Sequence, residues 1–320
     1  MNLIDVTREL GTEEAAFEFF ERMRWPDGVV RCTTCGNDKV SRITRKSPSK
    51  NVRKQLFQCL EPTCKQQFSA TSGTIFHDTR IPLSKWFLAI SLIMDAKKGI
   101  SAKQLQQHLG LGSYQTAWHM THRIREAMQV SQGAGYKLRG IVEVDETYIG
   151  GKAKRRGGRV RNQKPRNEKF DLVMGLRERG GRVRYVHIPD GKKASIRKAI
   201  DQNIDVGVNR VYTDSAAVYD FSIHPELRKR HRKVNHTIEW VVPGTRIHTN
   251  TVESSFSLLK RGLIGSFHRV SIKHLHRYLR EFELRFNERK AADRFTDMVA
   301  RIARTSPLTY QNLIAEPTQA

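Results

Sequence analysis

Three acidic residues sit where a folded chain normally excludes charge. Asp145 lies within "VEVDETYIGGK", Asp214 closes "VYTDS", and Glu253 falls in "HTNTVESSFSLLKRG". An aspartate amid Val142, Val144 and Ile149 is costly in a strand unless something pairs with its charge. Mg²⁺ (or Mn²⁺) is a suitable partner. Carboxylates from three elements can hold two such ions about 4 Å apart, one serving the nucleophile and one the leaving oxygen of a phosphodiester. Other readings of these residues stay open. Strand alternation puts Glu143 on the face of Asp145 and Glu146 on the opposite one, so either neighbour could face the site instead. Asn250-x-x-Glu253 also fits a helix capping box, with Glu253 at N3 reaching back to the cap. Asp214 could be a simple turn residue after a strand. Lys260 follows Glu253 by two helical turns and shares its face, where a cation could hold a DNA phosphate.

The four cysteines form a second chemical group. Cys32-x-x-Cys35 and Cys59-x-x-x-x-Cys64 are two close pairs, which supply four soft ligands to a tetrahedral zinc at little loop-closure cost. Gly36 falls where a metal-binding turn needs a permissive backbone. The second knuckle is two residues longer than the usual C-x-x-C. With no open coordination position or attendant base, one structural Zn²⁺ is the expectation. His77 is set aside as surface.

Charge indicates the partner. The 320 residues carry 57 Lys+Arg against 32 Asp+Glu, a net +25. A polyanion offsets such a surplus, and Lys and Arg contacts to nucleic acid release condensed counterions. Residues 152–169 are a basic loop that contains Lys152, Lys154, Arg155 and Arg156. Two helical patterns flank Gly110-Leu111-Gly112, as in a helix-turn-helix. The second, over 113–128, carries Tyr114, Gln115, His119, His122, Arg123 and Arg125 and would read a groove, or else pack as a core helix. Arg261 and His268 extend the basic surface beside Lys260.

The elements that must position these groups are legible as patterns. Residues 1–75 read as a helix and a zinc ribbon, 76–135 as a helix-turn-helix region, 136–305 as a catalytic domain and 306–320 as a tail. Within the third, "GIVEVDETYIG", "FDLVMGLRE", "RVRYVHIP", "NRVYTDS" and "KVNHTIEWVV" read as five strands. Helices follow at 251–261, 271–290 and 292–303. The order β-β-β-α-β-α-β-α predicts an α/β, ribonuclease-H-like core with a mixed five-stranded sheet. The longest apolar run, residues 86–94, is too short to cross a bilayer. Residues 1–10 lack the apolar stretch of a secretion signal, so the expectation is a cytoplasmic protein with no membrane partner.

The blocks "VEVDETYIGGK", "VYTDS", "HTNTVESSFSLLKRG" and "FHRVSIKHLHRYLREFELRFNER" resemble the signature blocks of bacterial insertion-sequence DDE transposases of the zinc-ribbon (ISXO-type) group, as does "FSATSGTIFHDTRIPLSKWF". The likeness runs from about residue 12 to 292. It implies a nucleoid-associated bacterial enzyme that acts with divalent metal on double-stranded DNA. It implies binding of an element's terminal inverted repeats, cleavage of its ends and transfer of the 3′-hydroxyls to target DNA, within a homo-oligomeric complex. Asp145 and Asp214 match the first two acids and Lys260 the basic position. The third position falls on Asn250 or Glu253, and spacing to Lys260 favours Glu253. Phe256 stands where the group commonly has Trp. The alternatives are a non-catalytic DNA-binding regulator built on the same ribbon and helix-turn-helix, and a ribonuclease-H-type nuclease that cuts without strand transfer.

Overall fold

The computed structural model describes residues 1–43, 55–129, 135–150, 171–219, 225–235, 238, 240–268 and 270–315. The chain forms two compact units, Met1–Ser131 with Ala291–Ala320, and Gln132–Lys290.

The first unit opens with α1 (Leu3–Glu9) and α2 (Glu13–Arg24), followed by the antiparallel sheet β1 (Val40–Ile43), β2 (Leu56–Cys59) and β3 (Gln67–Phe68). Helices α3 (Leu83–Asp95), α4 (Ala102–Leu109) and α5 (Tyr114–Gln129) complete its N-terminal part. Local chemistry sets each boundary. Pro82 precedes α3, whose first amides, at Leu83 and Ser84, donate to the Glu13 carboxylate at 2.8 and 3.2 Å. Ser101 and Gln104 form a capping box on α4, and Gly110, in the left-handed region at φ 58°, ends it. Ser113 Oγ then accepts from the Thr116 amide at 3.1 Å at the start of α5.

Helix α9 (Arg294–Ile302) belongs to this unit as well, with the short α10 (Tyr310–Ile314). The sequence division at residue 305 placed residues 294–302 in the catalytic domain. Their apolar stripe, Phe295, Met298, Val299 and Ile302, is buried instead in the first unit. There the Phe295 ring lies 6.1 Å from Phe19 of α2 and 5.8 Å from Phe87 of α3.

The second unit is built on β4 (Ile141–Ile149), β5 (Asp171–Glu178), β6 (Val183–Ile188), α6 (Lys193–Asn203), β7 (Arg210–Asp214) and β8 (His231–Val234), with a 3₁₀ turn at Pro225–Arg230. Helices α7 (Asn250–Gly262) and α8 (Ile272–Asn287) follow. The sheet order is β6-β5-β4-β7-β8. Strands β4, β5 and β6 pair antiparallel, whereas β4-β7 and β7-β8 pair parallel. This mixed five-stranded sheet is the expected ribonuclease-H-like core. Ile196 and Ile200 of α6 pack on one face with Val142, Val144 and Val211. On the other face Val252, Phe256 and Leu259 of α7 and Leu275 and Leu279 of α8 pack with Val173 and Tyr185. The fifth strand differs from the sequence reading. It is His231–Val234, ending where Val234 pairs with Asp214. Beyond it Ile238 and Trp240 are exposed.

Candidate active site

The four cysteine sulfurs converge on one point, all within 4.8 Å of one another. Sγ of Cys32 lies 3.7 Å from that of Cys64, and Cys35 lies 3.6 Å from Cys59. A tetrahedron with zinc–sulfur bonds of about 2.3 Å has edges of about 3.8 Å, so these donors fit one zinc ion. The elongated second knuckle still closes. The amides of Cys64 and Lys65 both donate to Glu61 O at 3.0 Å, and Lys65 turns the chain at φ 45°. Glu61 is itself held by Asn37 Nδ2 at 2.8 Å, which ties the two knuckles together. Gly36 takes φ 76°, as its place in the first knuckle predicted. Burial opposes ionisation of the Cys32 thiol, but amide donation from Cys35 and Thr34 outweighs it and brings the thiol down to about 7. His77 takes no part in the cluster. Its Nδ1 accepts from the Gly73 amide at 3.3 Å.

The acidic residues meet where the middle of β4, with Asp145, lies beside the carboxyl end of β7, with Asp214. Parallel pairing sets Glu143 beside Tyr212. Two residues on, alternation brings Asp145 and Asp214 to the same face of adjacent strands. Helix α7 covers that face and carries Glu253 and, two turns later, Lys260. Burial pushes the Asp145 carboxyl up to about 7. The charges of Asp214 and Glu253 add to the rise, while the Glu146 amide and Lys260 oppose it. Burial, with the charges of Asp145 and Asp214, also pushes Glu146 up to about 7. Tyr219 approaches the Glu146 carboxyl without closing a hydrogen bond of normal length.

Among the described residues, the carboxylates do not gather as tightly as the cysteines do. Glu146 Oε1 and Asn250 Oδ1 are buried with no hydrogen-bond partner. A buried carboxyl pushed up to about 7, with two further acids close enough to raise it, is the donor chemistry that a hard divalent cation takes. These residues fit magnesium or manganese.

Helix α7 is anchored by Glu143, which shares the face of Asp145 on β4. Glu143 is fully buried and faces the amino end of α7. Its Oε2 accepts from the amides of Thr251 at 2.9 Å and Val252 at 3.0 Å. Its Oε1 meets Arg179 Nε at 2.5 Å. Arg179 in turn donates to the carbonyls of Arg246 at 2.6 Å and His248 at 2.9 Å. Glu143 therefore does the work of an N-cap side chain from another strand. This overturns the capping reading of Glu253. The N-cap is Thr249, which makes no side-chain cap bond, and Glu253 stands one place later than N3. Glu253 Oε1 instead accepts from Thr249 Oγ1 at 2.8 Å. Gly175, paired with Asp145, lets α7 approach so closely. A Cβ there would lie 2.6 Å from the Phe256 ring.

Residues 11–67 match the transposase zinc-ribbon domain, and residues 137–287 match the ISXO2-like transposase domain. The chain is 30% identical over 289 residues to an uncharacterized protein in transposable element ISH50 of Halobacterium salinarum, covering 86% of this chain and 90% of that protein. The chain belongs to the ISXO2-like transposase family. Two solved assemblies contain chains with a weak likeness to the transposase. One is the cryoEM structure of the simian T-cell lymphotropic virus intasome in complex with PP2A regulatory subunit B56 gamma. It has a TM-score of 0.30 and 13% identity over 69% of this chain and 72% of that one. The other is the crystal structure of the Mos1 strand transfer complex, with a TM-score of 0.28 and 11% identity over 68% and 75%. Scores of this size carry no weight beside the sequence matches.

The basic residues of the transposase fall into three groups. Lys152, Lys154, Arg155 and Arg156 lie outside the described residues. Lys260, Arg261 and His268 are exposed at the end of α7 and just beyond it. Of the residues assigned to groove reading on α5, Tyr114 and Gln115 in the first turn are exposed. His119 is half-buried, with Nε2 at 3.2 Å from Leu308 O, and His122, Arg123 and Arg125 are buried. Most of the residues assigned to groove reading on α5 therefore face the protein interior, because α5 packs against α4 and α9. No helix among the described residues is long and apolar enough to cross a membrane.

Proposed function

We propose that this transposase cuts the ends of its mobile element and joins them to target DNA in one active site formed by Asp145, Asp214, Glu253 and Lys260. One observation carries the reading: Asp145 and Asp214 share one face of two adjacent parallel strands under the helix that carries Glu253 and Lys260, and there burial and the charges of Asp214 and Glu253 push the Asp145 carboxyl up. Asp145, Asp214 and Glu253, with Asn250 as the other candidate for the third position, would hold magnesium or manganese. When bound, the ions offset this clustered charge and polarise the phosphodiester.

The chain's own groups then orient the reactants. Lys260 pairs with a phosphate oxygen of the element's end, and Glu143 and Arg179 hold α7 so that Glu253 stays opposite Asp145. Water attacks the phosphorus at the end of the element. The bond from phosphorus to O3′ breaks and leaves a free 3′-hydroxyl and a 5′-phosphate. That hydroxyl attacks a target phosphodiester, forming a new ester and releasing a target 3′-hydroxyl. One ester bond replaces another in this second step, so it needs no external energy source. The zinc ribbon and the helical unit would bind the terminal repeats, and two ends would be held by a homo-oligomer.

The test is a strand-transfer assay with labelled DNA carrying the element's own ends, a plasmid target and Mg²⁺ or Mn²⁺. Joined products are expected from the native chain and none from Asp214→Ala. End binding without cleavage in both would mark a DNA-binding regulator, and cleavage without joining a plain nuclease.

A further inference from the structure

The first unit contains a cavity of about 470 Å³, within the range of small-ligand sites. Arg80, Trp86, Gln115, His119, Arg123 and Tyr310 line it. Arg123 is the unusual member. Its side chain is 8% exposed, yet its charge has few partners. Nη2 donates to His77 O at 2.9 Å, and the guanidinium lies 5.4 Å from the centre of the Trp86 ring. Nε is buried and has no hydrogen-bond partner. Burial brings this guanidinium down to about 10, against the weaker pull of Asp78. Asp78 also lines the cavity but is exposed, and its carboxylate lies 3.4 Å from His77 Nε2. A buried arginine with an idle donor is what an anion completes, because the planar fork matches phosphate.

The rest of the lining fits a base. Tyr310, on α10, is 45% exposed, and its ring centre lies 5.6 Å from that of His119. Gln115 is an exposed amide able both to donate and to accept. We propose that this cavity binds one nucleotide unit of a DNA strand, with its phosphate turned to Arg123 and Arg80 and its base against Tyr310. The proposal rests on the reading of the chain as a DNA-acting transposase. It gives the half-buried side of α5 a role that groove reading does not.

The test uses full-length, zinc-loaded protein and fluorescence anisotropy with a labelled duplex carrying the element's terminal repeat, over a series of salt concentrations. Arg80→Ala, Tyr310→Ala and Arg123→Gln are compared with the native chain. Tyr310→Ala is expected to weaken binding about five-fold or more through loss of a stacking partner, with the salt dependence unchanged. Arg80→Ala and Arg123→Gln are expected to weaken it and to lower the slope of log affinity against log salt by about one each. The two exposed residues decide the matter if Arg123→Gln does not fold. Native binding and salt slope in both surface variants would overturn the proposal while leaving the transposase reading intact. Failure of the native chain to bind the duplex would overturn both. A calorimetric arm with deoxyadenosine monophosphate and inorganic phosphate separates the sources of the anion. Arg123-dependent binding of either, with duplex binding unaffected by all three variants, would make this a free-anion site and overturn the assignment to DNA.

Discussion

The zinc cluster and the acidic cluster are both sets of four or more ligand-type side chains, and they are built on opposite terms. The sulfurs stand at the spacing of a filled tetrahedron, tied by amides and by the Asn37–Glu61 bond. The carboxylates are spread more widely, Asp145 and Glu146 are pushed up by burial and by neighbouring acids, and Glu146 Oε1 and Asn250 Oδ1 lack hydrogen-bond partners. A structural site can be closed, because nothing has to enter it. A catalytic one must keep charge and coordination capacity in reserve for the substrate, and stability elsewhere in the unit must hold it open.

Removing the metal should divide the two regions most sharply. Cys59→Ser, or zinc chelation, should cost the β1–β3 ribbon on the order of 10 kcal/mol of metal-linked folding energy. Circular dichroism and limited proteolysis would show the ribbon unfolding, and an intact ribbon would mean that the cluster is not a structural zinc site. Asp214→Asn should do the reverse. Strand transfer should fall by about 10³-fold or more, about 4 kcal/mol in barrier, while Tm stays level or rises as repulsion is relieved. A lower Tm with activity retained would recast Asp214 as a turn residue.

Glu143→Ala sharpens the contrast, since it acts on both stability and activity. It leaves the half-buried Arg179 without its carboxylate and α7 without its cap, at a cost of about 3 kcal/mol in urea unfolding. Glu143→Gln keeps the shape and should recover part of both losses. Equal losses in the two variants would show that charge, not hydrogen bonding, anchors α7. Gly175→Ala comes next, at about 1–3 kcal/mol, because the new methyl meets Phe256. Gly175→Ala with Phe256→Leu should be milder than the single change.

The pH dependence of stability bears on the acidic region. In zinc-loaded, magnesium-free protein, Asp145 and Glu146 are held above their unfolded values, to about 7. Their contribution is therefore fully present below the ordinary carboxylate range and is lost as pH rises from about 4 through about 7. Urea midpoints should fall across that window and recover when magnesium is added, with Asp145→Asn flattening the trend. Zinc ligation runs the other way, since acid protonates thiolates.

Much of this was legible in residue order. Two close cysteine pairs can scarcely avoid each other, so the zinc site follows from spacing, and the extra length of the second knuckle is absorbed in one turn at Glu61–Lys65. Strand alternation was enough to place Glu143 and Asp145 on one face. It could not say which would meet an ion and which a helix end, because that depends on where α7 crosses the sheet, and Gly175 and Phe256 set that crossing. The same limit applies to α5. Its basic residues read as a groove-facing set in one dimension, but α9, from the far end of the chain, supplies the apolar stripe that helps to bury them. Ligand types, periodicities and the order of strands follow from residue order, since these are local properties of short segments. Tertiary structure alone decided the cap on α7, the end of β8, the unit to which residues 294–302 belong and the burial of Arg123, since each depends on a partner far away in the chain.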